Sequence, residues 1–114
     1  MKLLIIGSRG ILDFDLAPYI NSRVELIISG GADGVDSLAE KFADKHKISK
    51  LILYPKYEKY GKAAPIKRNH QMVDLADCVL AIWDGCSKGT ANTIRYAQKL
   101  KKELTVVEIK QDEV

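Results

Sequence analysis

Apolar positions along the chain fall into short continuous runs, separated by stretches that are polar, glycine-rich or spaced as in a helix. Runs of strand length recur at Leu3 to Ile6, Val24 to Ile28, Leu51 to Tyr54, Cys78 to Trp83 and Leu104 to Ile109. Four of the five are rich in Val and Ile, whose branched side chains suit a pleated surface, and they predict five buried strands. Between the second and third, Val35, Leu38, Ala39 and Phe42 stand at i, i+3, i+4 and i+7, the pattern of a helix with one face on the core. Asp33 is placed to cap it. Pro65 opens a helix carrying Ile66, Met72 and Val73, and Thr90 opens another with Ile94, Ala97 and Leu100 at near-helical spacing. Leu12 to about Ser22 predicts a short helix with Pro18 in its first turn, where the missing N–H is harmless. Pro55 to Ala64 reads as the one long irregular stretch, and Lys110 to Val114 as a frayed tail.

Strands alternating with helices imply right-handed crossovers and a sheet covered on both faces. The predicted class is α/β: a Rossmann-like three-layer sandwich with a five-stranded, mostly parallel sheet, one domain over residues 1–114. A hydrophobic content of 46% with 29% charged residues agrees with a globular chain. No stretch is apolar enough to span a membrane or serve as a signal peptide, so the expected location is the cytoplasm. Cys78 sits in an apolar run and Cys86 in a Gly-rich loop, which gives neither a disulfide framework nor a metal-ligand set. No metal or cofactor is expected. A net charge of +3 is too small to announce nucleic-acid binding and leaves an anionic small molecule open.

In an open α/β sheet the ligand crevice lies beyond the carboxyl ends of the strands. Three of the turns there are glycine-rich: Gly7-Ser8-Arg9-Gly10, Ser29-Gly30-Gly31-Ala32-Asp33-Gly34, and Asp84-Gly85-Cys86-Ser87-Lys88-Gly89-Thr90. Glycine lets a backbone approach a ligand closely, and a following helix offers unpaired N–H groups with partial positive charge, so phosphate is the natural guest. Any one of these turns alone is more simply a tight strand-to-helix connection; three on one edge reverse that preference. Gly7 to Gly10 lacks the G-x-G-x-x-G spacing and no acidic residue closes the second strand, which argues against a conventional NAD dehydrogenase. Lys88 precedes Gly89, the reverse of the order a phosphate-binding P-loop requires.

Arg9 offers a planar guanidinium beside the first turn, or is simply a surface arginine. Asp36, in a first helical turn, can accept ribose hydroxyls, act as a base, or complement the helix dipole. Arg68 and Asn69 would face the same edge if their loop folds back, and taken alone read as a solvated face. Tyr54, Tyr57 and Tyr60 interleave with Lys56, Lys59 and Lys62; such mixtures can stack single-stranded nucleic acid, but tyrosines in a long loop more often anchor it. Trp83 reads as core or pocket rim. His46 and His70 lack partners at ligand spacing and read as solvent-facing.

Four motifs in order carry a family resemblance: Gly7-Ser8-Arg9, then Ser29 to Asp36, then Tyr60 to Asn69 with Gln71-Met72, then Gly89-Thr90-Ala91-Asn92. The chain resembles the YspA-like branch of the SLOG superfamily, Rossmann-like domains related to the Lonely-guy phosphoribohydrolases and to the DNA-processing protein DprA. The resemblance implies a nucleotide-like ligand held by Gly7, Ser8, Arg9, Gly30, Gly31, Asp33, Gly34, Arg68, Asn69, Ser87, Gly89 and Thr90. It also implies a homodimer; the small net charge and the loop tyrosines make nucleic acid an unlikely partner, and the lack of a long apolar stretch argues against a membrane. The phosphoribohydrolases carry P-G-G-x-G-T-x-x-E, whereas here a longer turn from Asp84 to Lys88 replaces the first part and Thr93 stands where the Glu would be. A hydroxyl cannot supply that carboxylate's charge, so the activity does not carry over by itself, and Asp36 or Asp84 is the candidate substitute. The expected function is nucleotide binding as a sensor or module. A hydrolase cleaving an N-glycosidic or phosphoester bond is the alternative, and a single-stranded DNA module like DprA the third.

Overall fold

In a computed structural model, which describes residues 1–110, the five strands form one sheet in the order β3-β2-β1-β4-β5, every neighbouring pair parallel. The strands are β1 (Lys2–Gly7), β2 (Leu26–Ser29), β3 (Ser49–Ile52), β4 (Cys78–Trp83) and β5 (Glu103–Glu108). The helices are α1 (Val35–Lys45), α2 (Tyr57–Tyr60), α3 (Ala64–Leu75) and α4 (Lys88–Lys99). The expected Rossmann-like three-layer sandwich is present, and the sheet is wholly parallel. No helix among the described residues is long and apolar enough to cross a membrane.

Period-two alternation divides the core between the two faces. Leu3 and Ile5 of β1, Ile27 of β2, and Leu80 and Ile82 of β4 pack with Val35, Ala39 and Ala43 of α1 and with Ile11 and Leu16 of the first connection. Leu4, Ile6, Ile28, Val79 and Ala81 point the other way, onto Met72 and Val73 of α3 and Ile94 and Ala97 of α4. The order of connections explains this division. The first two crossovers run outward from β1 on one face, and the chain then returns to the far side of β1 and continues outward on the other. Between β1 and β4 the direction of winding reverses, so their carboxyl ends diverge into a crevice.

The structure departs from the sequence expectations at the margins. β3 and β5 are edge strands with mostly exposed side chains rather than buried ones. β3 pairs through Ser49 to Ile52, two residues before the apolar run at Leu51 to Tyr54, because an edge strand is specified by backbone pairing with β2 and needs no apolar run. β2 likewise begins at Leu26, and Val24 is buried before it. The first connection is no α-helix: it holds only a 3-10 turn over Ala17–Tyr19 with Pro18 inside it. The stretch from Pro55 to Ala64 is regular for most of its length, as α2 and then a 3-10 turn over Gly61–Ala63. Asp33 is exposed and caps nothing; the residue before α1 is Gly34. The predicted frayed tail from Lys110 lies, after its first residue, outside the described residues.

Candidate functional site

A cavity of about 320 Å³ opens at the divergence of β1 and β4. Gly7, Ser8 and Arg9 form one wall and Ser87, Gly89 and Thr90 another. Asp36, Arg68 and Asn69 close it from the side, over a floor that includes Met72 and Thr93. Most of the expected site residues are thus gathered in one place.

The turn after β1 is tied to the turn after β4. Ser8 is buried; its N–H donates to Ile82 O at 3.1 Å, and its Oγ accepts from Asp84 N at 3.0 Å. Asp84 Oδ1 accepts the N–H groups of Cys86 and Ser87, both at 2.8 Å, and the Ser87 hydroxyl lies 3.0 Å from that carboxylate and from Ser8 Oγ. These donors, the Ser87 N–H foremost, hold the Asp84 carboxyl below the usual range. Asp84 does not line the cavity. Trp83 Nε1 donates to Ser87 O at 3.1 Å, which fixes the same turn from its other side.

The Ser87 hydroxyl, engaged in this network, makes no side-chain cap on α4, and the helix has no acidic residue in its first turn. The leading N–H groups of a helix have no partner within it. Those of Lys88 to Thr90 therefore carry the positive end of the helix dipole toward the cavity with no acidic side chain of the first turn to offset it. A Cβ built on Gly89 would meet nothing within 4 Å, so space lies open there.

Arg68, from the first turn and a half of α3, is buried and does two things. Its Nη1 donates to Gly30 O and, at 3.2 Å, to Leu53 O, which pins the carboxyl end of β2 to the segment after β3. Its Nε donates to Asn69 Oδ1 at 2.7 Å. Among the described residues neither Arg68 nor Arg9 makes an ion pair. Arg9 is exposed at the mouth. Asp36 is buried and accepts Ala32 N–H at 3.2 Å. Burial pushes its carboxyl above the ordinary range, with the Ala32 N–H and the Arg68 charge acting against that shift. Burial also lowers the Arg68 guanidinium from its usual value, against the pull of Asp36. Gly30 separates the two charged groups: a Cβ there would lie 2.9 Å from both Arg68 Nη1 and Asp36 Oδ2.

Gly30, Gly31 and Asp33 line a second recess beside the cavity rather than the cavity itself. Gly34 lines neither and is a packing position: its φ is +73°, and a Cβ would strike the carbonyls of Ser8 and Arg9. Met72 and Thr93 were absent from the sequence candidates, although each stands four residues after one, Arg68 or Gly89, and so shares its helix face. Thr93 is fully buried and donates its hydroxyl to Gly89 O at 2.9 Å. His70 is half-buried rather than solvent-facing; its ring stacks on Tyr96 at 3.9 Å and its Nε2 lies 3.0 Å from Asn92 Oδ1. The loop tyrosines do not all anchor: Tyr54 and Tyr57 are 65% and 57% exposed. No group of three or more His, Cys, Asp or Glu among the described residues could hold a metal ion.

Set beside known proteins, the chain matches no family model and no solved structure. It is 37% identical over 59 residues to an uncharacterized SPbeta prophage-derived protein, YoqJ, of Bacillus subtilis strain 168. That similarity covers 49% of this chain and 30% of the relative.

Proposed function

We propose that the protein binds a nucleotide or nucleotide-derived ligand, with the phosphate at the amino end of α4, and works as a sensor or binding module. The reading rests above all on the cavity at the β1–β4 divergence, where the uncapped first turn of α4 and the guanidinium groups of Arg68 and Arg9 converge. Each charge-assisted hydrogen bond to a phosphate is worth about 1.5–3 kcal/mol when well formed. The resemblance of its motifs to SLOG domains points the same way. Calorimetry with AMP, GMP, CMP and UMP and their nucleosides tests it: at least one monophosphate should bind about tenfold or more tighter than its nucleoside, a difference of about 1.4 kcal/mol. Equal affinities would overturn the reading.

A second reading, hydrolysis of the bound nucleotide, is favoured by Asp36 alone. A buried carboxyl with a raised pKa, facing the cavity, is suited to hand a proton to a leaving group. Chromatography after incubation would then reveal free base or phosphate, and Asp36→Asn should stop release more than it weakens binding. Tight binding without release across the four nucleotides would leave the module reading alone.

A further inference from the structure

The cavity does not end at Arg68. A second recess, of about 250 Å³, shares Arg9, Ala32 and Arg68 with it and lies over the carboxyl ends of β2 and β3. Gly30, Gly31 and Asp33 bound one side and Tyr54 and Pro55 the other.

Tyr54 presents an open ring at the recess. The proline after it restricts its backbone to extended conformations. Its ring lies against Gly31, where a Cβ would come 2.6 Å from Tyr54 Cε1 and where φ is +71°. Only glycine suits that position, and it leaves room for the ring edge. Tyr54 nonetheless stays 65% exposed while lining the recess, so a flat partner can reach its ring.

The two compartments share Arg9 and Arg68 and differ at their far ends. The first ends at the positive end of α4, with Asp36 on its side wall. The second ends at the exposed Asp33 carboxylate on its rim. Carboxylates repel phosphate and accept hydrogen bonds from hydroxyl and amino groups.

We infer that the second recess receives the aromatic base of a nucleotide whose phosphate occupies the first, with Tyr54 as the stacking platform. Asp33 accepts a hydrogen bond from a sugar hydroxyl or an exocyclic amine. The recess thereby selects ligands that carry a base over sugar phosphates that do not. This inference rests on the nucleotide reading above.

Binding of AMP, GMP, CMP, UMP and ribose 5-phosphate to wild type, Tyr54→Ala and Tyr54→Phe tests both together. The tightest monophosphate should bind wild type at least about tenfold more tightly than ribose 5-phosphate, because a base stacked on an aromatic ring supplies that much. Tyr54→Ala should erase the preference while ribose 5-phosphate binds as before, and Tyr54→Phe should keep it. Wild type that binds ribose 5-phosphate as tightly as every nucleotide would overturn the base recess and leave the phosphate site standing. Equal weakening of both ligand types by Tyr54→Ala would also overturn it, since the ring would then act on the fold. Binding of none of the five would sink the nucleotide reading and this inference with it.

Discussion

The amino ends of α1 and α4 meet the same edge of the sheet, each after a glycine-rich turn, yet the chain closes one and leaves the other open. At α1, Gly34 is pressed under the carbonyls of Ser8 and Arg9, and Val35 N donates to Ser8 O at 3.4 Å. Asp36 in the first turn adds a carboxylate that accepts Ala32 N–H. The glycine here serves packing, and the helix end is occupied by the protein itself. At α4 the residue in the capping position, Ser87, is turned into the Asp84 network instead, no acid follows, and Gly89 borders empty space. A glycine-rich turn is therefore not by itself a ligand site. What decides is whether the chain has already spent the donors and filled the volume.

Substituting the same residue type at both helix starts should give effects of opposite sign. Gly34→Ala should cost about 3 kcal/mol or more, combining left-handed backbone strain with a clash against two carbonyls that cannot move far. Gly89→Ala, inside a helix with free space, should raise stability by up to about 1 kcal/mol. Urea denaturation of the two variants measures both, and equal losses would break the contrast. Arg68→Met comes next, with an expected cost of about 2 kcal/mol, because it leaves the Gly30 and Leu53 carbonyls without their donor. The same variant should lose nucleotide affinity, whereas an Arg68 used only as a clamp would leave the affinity of the folded fraction intact.

Gly89→Asp sharpens the comparison further, by giving α4 the first-turn acid that α1 already has. A carboxylate near a helix amino end is mildly stabilising, by about 0.3–1 kcal/mol, so the fold should survive. Nucleotide affinity should fall by about tenfold or more, since the new charge competes for the same N–H groups and repels phosphate. Unchanged affinity in the folded variant, measured by calorimetry, would remove the amino end of α4 from the site.

The contrast between the two helix starts also shows what the sequence could reveal. Continuous apolar runs identified β1 and β4 closely, because central strands of a parallel sheet must be apolar on both faces. Of the edge strands, β5 is legible to within one residue at each end, whereas β3 is displaced: its Ser49 and Lys50 carry no such signal, and the apolar run draws Tyr54, which lines a recess, into the strand. The three glycine-rich turns are legible as a group, and all three border the main cavity, the second through Ala32 alone. Which end is closed cannot be read, since it depends on Ser87 turning to Ser8 and on Gly34 meeting Ser8, contacts between segments far apart in sequence. Asp33 and Asp36 illustrate the limit. Both are carboxylates at the start of α1, and only the folded chain decides that the first is exposed and the second buried.

The smallest expected effect concerns the closed end and the buried Asp36. Burial raises its carboxyl pKa in the folded protein above the ordinary 3.8, more than the Ala32 N–H and the Arg68 charge lower it. The native state then holds this proton more tightly than the unfolded chain does. Well below 3.8 both states are protonated and the native protein suffers nothing from charge burial. As the pH rises through that value toward the folded one, the unfolded chain releases its proton first and native stability falls. Above the folded value the loss is complete and no longer changes. Asn at this position keeps an oxygen for the Ala32 N–H and has no proton to release. The stability of Asp36→Asn relative to wild type should therefore grow as the pH rises through this window and then level off. Urea denaturation of both proteins from about pH 3 to about pH 8 measures that difference directly. A difference that shrinks with rising pH would mean that Arg68 and the Ala32 N–H outweigh burial. Asp36 would then be a fixed anion, and the hydrolase reading, which needs a carboxyl able to give up a proton near neutrality, would lose its only acid.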